Sequence, residues 1–410
     1  MIEAQTVFSA DLLIDGSGRA PVRDPYLVVA EGRILEVGAG RPPDALRERA
    51  KFFAMPGATI IPGLVDAHVH LALAMHLPDW AAIDADPARL AFLAARHAQE
   101  ALRAGITTVA DCGARHGVTI ALREAIAQGW VEGPRVWACG EWLTVTNGHG
   151  YFWTRRGFDS AEELRKGVRE MVWQGADFIK IMASGGTTQG AKTNRRRAQY
   201  SAEELRVAVE DAHRLNKRVI CHVNATEAMR HCLKAGVDVV EHCNWLGAQE
   251  GTIEYDHDLA REGGRRGLCA GINIEQVFKP LSQNDGYAQD WGDLTRWDLM
   301  RRMQDVGVNI FVDTDAAGKD YDALPRMMAR MVEEGKAEAA ETLAMATLVP
   351  ARALGLSDEI GSLEKGKQAD MVFLPANPLI DITALTRPLA VVKGGCIMVG
   401  KHAFPDANRP

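Results

Sequence analysis

Five times along the middle of the chain, a helix-like stretch and a turn lead into a short β-rich apolar run. "PARLAFLAARHAQEALRAG" precedes "ITTVAD", "SAEELRKGVREMVWQG" precedes "ADFIKIMAS", and "SAEELRVAVEDAHRLNK" precedes "RVICHVNA"; "TEAMRHCLKAG" then leads into "VDVVEHCNW", and "LTRWDLMRRMQDVG" into "VNIFVDTDA". Strands joined through helices run parallel, and apolar runs without alternation are strands covered on both faces. Five units, with room for about three more between residues 62 and 357, predict an α/β chain folded as a (β/α)8 TIM barrel. No GxGxxG follows any run, which argues against an open dinucleotide-binding sheet. Ser160 with Glu163 and Ser201 with Glu204 predict capping boxes at two helix starts. Leu205, Ala208, Val209 and Ala212 give the second of those helices one apolar face.

The two ends of the chain read differently. "TVFSADLLIDGSG" and "YLVVAEGRILEVG" are strand-like, with Glu31 and Gly32 as a tight hairpin turn. "GSLEKGKQADMVFL" and "PLAVVKGGCIMVG" repeat that style after residue 357. Since termini often lie close together, residues 1–61 and 358–410 are expected to form one small β-sandwich domain beside a catalytic barrel of residues 62–357.

Composition narrows the function classes. With 410 residues, 47% hydrophobic and 25% charged, the chain can bury a large core, and a net charge of −7 gives no basic face for nucleic acid. No stretch has the length of a membrane span or the pattern of a signal peptide, so a cytoplasmic protein is expected. Seven cysteines without CxxC spacing read as reduced thiols. The expected partner is a small-molecule substrate, with neither nucleic acid nor membrane, and a homo-oligomer is expected.

Polar residues cluster at the ends of the apolar runs: His68 and His70 in "PGLVDAHVHLAL", Lys180 in "DFIKIMAS", His222 in "VICHVNA", His242 in "VVEHCNW" and Asp315 in "FVDTDAAG". In a parallel barrel, that edge is the catalytic face. A single histidine there is more often just hydrogen-bonded. Four, with a lysine and an aspartate placed by the same rule, point to a metal site, and the HxH pair can chelate from one face of a strand. Lys180 sits among Phe178, Ile179, Ile181 and Met182, where an unpaired ammonium is costly; burial is expected to lower its pKa and free the amine. A neutral amine can add carbon dioxide, and the resulting carbamate has two oxygens able to bridge two ions.

With "GADFIKIMASGG", "VICHVNATEA", "AGVDVVEH" and "VDTDAAG" beside the HxH segment, the chain resembles the amidohydrolase superfamily, in its imidazolonepropionase-like and prolidase-like (Xaa-Pro dipeptidase-like) branch. The resemblance implies that His68, His70 and Asp315 bind one metal and His222 and His242 a second. Lys180, carrying a carbon dioxide-derived carboxylate, would bridge the two divalent ions, with zinc the best match to imidazole and carboxylate ligands. The ions would share a hydroxide that attacks an amide carbonyl, with Asp315 as general base. Asp66 is expected to be structural, and Asp313 to stand behind the ligands.

Two loops are candidates for substrate contact. "GEWLTVTNGHGYFWTRRG" offers His149, in a "GHG" setting that in related dipeptidases lies near the carbonyl, together with Tyr151 and Trp153. "SGGTTQGAKTNRRRAQYS" offers Lys192, Arg195, Arg196 and Arg197 for an anionic group. The expected reaction is hydrolysis of an N-acyl amino acid or dipeptide, Xaa-Pro compounds included. The alternative is a carbamate, urea or anilide of an aryl compound, with Trp142, Phe152 and Trp153 against the ring. A ring-opening lactamase or deaminase is disfavoured by Lys180. A non-catalytic scaffold is disfavoured because all six ligand positions are filled.

Overall fold

The computed structural model describes residues 5–74, 77, 86–186, 193–273 and 295–404. Two all-parallel sheets form its centre. One joins Leu64–His70 (β1), Ile106–Asp111 (β2) and Arg135–Ala138 (β3), with the short strand Ala316–Ala317 added to the outer side of β1. The other joins Ile179–Met182 (β4), Val219–Ala225 (β5), Val239–Leu246 (β6), Cys269–Asn273 (β7) and Asn309–Asp313 (β8) in that order. This is a mixed α/β fold with each parallel strand followed by helix or loop, as the alternation requires. A parallel bridge between Leu143 and Ile181 links the first sheet's side to β4.

Alternate residues of these strands face two different cores. Val65, Ala67, Ala110, Phe178, Ile220, Val239, Cys269 and Phe311 pack with one another in one cluster. Their neighbours, among them Val109, Ile179, Ile181, Cys221, Val240, Ala270 and Ile310, pack against the helices. The expected apolar face of Ala202–Arg214 is there, with Leu205, Ala208, Val209 and Ala212 all buried. Ser201 and Glu204 make a full capping box. Ser160 makes only half of one, because the Glu163 carboxylate accepts the backbone N–H of Asp159 (2.7 Å) instead.

An eight-stranded sheet gathers both ends of the chain. Its order places Cys396–Val399, Ala390–Lys393 and Met371–Leu374 beside Lys51–Pro62, which in turn pairs with Thr6–Leu13, Pro25–Ala30 and Arg33–Ala39. The hairpin turn at Glu31 and Gly32 has both residues left-handed, with φ of 48° and 76°. Only Gly63 separates Lys51–Pro62 from β1, and a Cβ there would lie 2.0 Å from Thr107 Oγ1. Among the described residues, no helix is long and apolar enough to cross a membrane.

Candidate metal centre

The polar strand-end residues converge. His68 Nε2 lies 3.4 Å from Asp315 Oδ1, His70 Nε2 lies 3.6 Å from the same oxygen, and Lys180 Nζ lies 3.4 Å from His68 Nε2. Tetrahedral ligands about 2.1 Å from one ion stand about 3.4 Å from each other, so these spacings fit a shared cation. The His68 ring lies 5.4 Å from that of His70 and 5.3 Å from that of His242, centre to centre; His242 is 4.5 Å from His222, and His222 is 4.3 Å from His149. Asn224 Nδ2 stands 2.8 Å and Gly185 O 3.3 Å from His222 Nε2.

Two of the candidate ligands reach the site through unusual backbone. His242 (φ 69°) and Asp315 (φ 47°) are both left-handed without being glycine, as is Cys243 (φ 46°). Such conformations cost about 1–3 kcal/mol each and persist where the surroundings enforce them, often at functional sites. The turn at Cys243 also breaks strand alternation, so Glu241 and His242, adjacent in sequence, both join the central cluster.

The electrostatics favour cation binding. Burial, then the Lys180 charge, holds His68, His70 and His242 below the ordinary imidazole range, with His70 at about 3. His222 is lowered by burial and then by its histidine neighbours, and burial puts His149 at about 4. All five rings are therefore neutral at pH 7, the form that binds metal. Asp315 is raised to about 6 by burial. Lys180 departs from the expectation drawn from its apolar neighbours. Burial does act against its charge, but the surrounding groups outweigh it and the net shift is upward. The groups that raise it most are Cys112, Glu241 and Asp315, and burial in turn raises Glu241 itself to about 8.

The structure separates the two aspartates of "VDTD". Asp315 stands at the Nε2 edge of His68, while Asp313 is fully buried at the Nδ1 edge, 3.9 Å away. Asp66 ties two strands together: Thr314 Oγ1 donates to its Oδ2 (2.6 Å), and the N–H groups of Thr314 and His68 donate to its Oδ1 (both 3.3 Å). Tyr321 does the same from above, donating to His70 O (2.6 Å) and accepting from Gly318 N–H (2.7 Å). Sequence reasoning did not single out Glu241, Asn224 or Tyr321. Only the adjacency of Glu241 to His242 could have drawn attention to it.

The candidate substrate residues divide. His149 is buried against Gly186, whose Cα leaves no space for a side chain beside the His149 ring. Tyr151 is half-buried at the start of the short helix Tyr151–Thr154, while Trp153 is buried with Trp142, Leu73 and Met182 as backing for the site. Trp142 meets the His70 ring edge-on at 5.6 Å. Arg196 is buried and donates to Gly247 O (3.0 Å) and Thr252 O (2.8 Å), which ties two loops together. Arg197 is exposed. Arg195 lines a cleft of about 460 Å³ with Gly186, Asn194 and Glu250. Lys192 lies outside the described residues.

Comparison with known proteins agrees with this geometry. The sequence profile of the amidohydrolase family matches residues 59–264 and 294–398. Ochratoxinase of Aspergillus niger is 31% identical over 455 aligned positions, covering 99% of this chain and 89% of that protein. The crystal structure of a Xaa-Pro dipeptidase with methionine bound in its active site superposes with a TM-score of 0.82 at 26% identity, covering 96% of this chain and 99% of the other. The crystal structure of the A. niger ochratoxinase superposes at 0.80 with 27% identity, covering 100% and 99%. The chain belongs to the amidohydrolase family, in the branch of the ochratoxinase and prolidase-like enzymes, and is a hydrolase acting on carbon–nitrogen bonds.

Proposed function

We propose that this enzyme hydrolyses an amide bond of a small molecule, either an N-acyl amino acid or a dipeptide, Xaa-Pro compounds included, at a binuclear metal centre. The observation that carries the reading is the meeting of His68 Nε2, His70 Nε2, Asp315 Oδ1 and Lys180 Nζ at ligand spacing, with His222 and His242 alongside. His68, His70 and Asp315 would hold one ion, His222 and His242 the other, and a carboxylated Lys180 both. Zinc suits this donor set. When bound, the ions would supply Lewis acidity toward the carbonyl and a water made acidic enough to attack at neutral pH.

The chain's own residues do the rest. Asp315, with its pKa near 6 and its side chain 28% exposed, can take a proton from the attacking water and pass it to the leaving nitrogen. His149, neutral and next to His222, can donate its N–H to the substrate carbonyl. Arg195 is the member of the arginine run placed to attract a substrate carboxylate, since its cleft reaches Gly186 and hence His149. The two parallel sheets are read as one closed eight-stranded barrel beside a terminal β domain. The Leu143–Ile181 bridge supports closure on one side and the Asp66–Thr314 bonds support it on the other.

A second reading, hydrolysis of an aryl carbamate, urea or anilide, is favoured by the Trp142 ring 5.6 Å from His70. One screen separates the two: metal content, and turnover of dipeptides, N-acyl amino acids and aryl carbamates by the zinc-loaded protein. Two metal equivalents with turnover of the first two classes is the expected result. Turnover of neutral aryl compounds alone would replace the first reading with the second. Absence of bound metal together with absence of turnover would overturn both.

A further inference from the structure

Beneath the candidate ligands lies a buried cluster that the amide-cleaving reading leaves without a task. Glu241 on β6 and Asp313 on β8 are fully buried and face one another beside Gly271 on β7. All four of their carboxyl oxygens, and His68 Nδ1, lack an aligned hydrogen-bond partner. Glu241 Oε2 is nevertheless only 3.2 Å from His68 Nδ1, so a small rotation of the ring or the carboxylate completes the bond. Gly271 makes the space, because a Cβ there would stand 2.1 Å from Glu241 Oε2 and 2.6 Å from Asp313 Oδ2.

The opposite edge of the ring fixes where its proton belongs. Nε2 faces Lys180 Nζ and Asp315 Oδ1, both at 3.4 Å, and must be bare to bind a metal there, whereas Nδ1 faces the carboxylate oxygens of Glu241 and Asp313. A neutral imidazole then carries its single hydrogen on Nδ1, toward Glu241. The group His68, Glu241 and Asp313 also has the composition of a cation site. A cation there would need Nδ1 bare as well, and one neutral ring cannot present two bare nitrogens.

We propose that Glu241 is a positioning residue: it accepts the Nδ1–H of His68 and so presents a bare Nε2 toward the metal centre. The proposal rests on the metal-dependent reading above but on no particular substrate. It gives Glu241 the part of the carboxylate in a carboxylate–histidine–metal relay.

The first test needs no variant. In metal-free protein labelled with ¹⁵N-histidine, the His68 signals, assigned by their loss in His68→Asn, should show a protonated Nδ1 and a bare Nε2. The reverse tautomer would overturn the proposal. The second test is metal affinity by chelator competition in Glu241→Leu and Glu241→Gln. Leucine offers no acceptor and should weaken one of the two ions by about 10- to 100-fold, whereas glutamine keeps an acceptor oxygen and should recover much of that loss. Wild-type affinity in Glu241→Leu, or equal losses in the two variants, would overturn the proposal. If Glu241→Leu does not fold, the tautomer measurement decides. Expected results in both tests, with no turnover of any amide, would support the role of Glu241 while removing the amide-hydrolase reading.

Discussion

Replacing Tyr321 by phenylalanine removes a single oxygen from the joint between β1, which carries His68 and His70, and the segment carrying Asp315. The ring should stay in place, because it is buried and stacks on His97 at 4.2 Å with 21° between planes. Two bonds are lost: the one to His70 O and the one from Gly318 N–H. The first loss is the milder, since His70 O still accepts from Leu73 N–H at 3.2 Å; it should cost about 0.5–1.5 kcal/mol. The second leaves a buried N–H without an acceptor, at about 1–3 kcal/mol. The sum predicts a loss of about 1.5–4.5 kcal/mol. Urea unfolding of the chelator-treated protein is the right assay, because bound metal would add its own stabilisation to the folded state. The midpoint should fall without a change in slope, and metal affinity should weaken as His70 and Asp315 lose their common anchor. A stability change under about 0.5 kcal/mol, with metal affinity unchanged, would refute the claim that this hydroxyl holds the two ligand segments together.

Lys180→Ala should lose metal and activity together, and a short carboxylic acid in solution should restore part of both by standing in for the carbamate; two tightly bound ions in the untreated variant would exclude the bridge. Asp315→Asn should cut kcat by at least about 10²- to 10⁴-fold while leaving the ion held by His222 and His242, and Asp313→Asn should be milder; the opposite order in kcat measurements would exchange their roles. Arg195→Ala should weaken kcat/KM for a substrate bearing a carboxylate by about 1.5–3 kcal/mol and spare the corresponding amide, whereas Arg196→Ala should act on stability through the loops at Gly247 and Thr252. Equal effects of Arg195→Ala on charged and neutral substrates would return that residue to a solvated role. The Asp211 carboxylate is held below its ordinary 3.8 by hydrogen bonds from Arg169, so its stabilisation is present above that value and is lost as the pH falls below it. Arg169 is largely exposed, so solvent screens the pair and the effect is small, and acid unfolding of Arg169→Ala should show that loss disappear.

What the sequence revealed and what it hid follow from how local each feature is. The helix–strand alternation is written in periodicity and turn residues, and the strand-end positions of His68, His70, Lys180, His222, His242 and Asp315 follow from it. Glu241 was hidden because regular alternation sends neighbours to opposite faces, and nothing in "VVEHCNW" announces left-handed backbone at His242 and Cys243. The direction of the Lys180 shift is hidden in the sequence for a related reason. Its neighbours in sequence are apolar, but the groups that raise its pKa most, Cys112, Glu241 and Asp315, come from other segments. Trp153 reads as a substrate contact beside His149, yet it is buried because Trp142, Leu73 and Met182 arrive from other segments. Ser160 lost its full capping box to an equally local competitor, the free N–H of Asp159.

The single residue between the terminal sheet and β1 limits how this protein can be taken apart. Lys51–Pro62 is bonded on one side to Thr6–Leu13 and on the other to Met371–Leu374, then passes through Gly63 directly into the strand of His68 and His70. No spacer exists at which a gene could be cut to express the two regions separately, and no slack exists to take up an insertion. A library that shuffles modules at residue 63 would break the backbone that sets the height of the HxH pair, so usable crossovers should be sought in surface loops elsewhere.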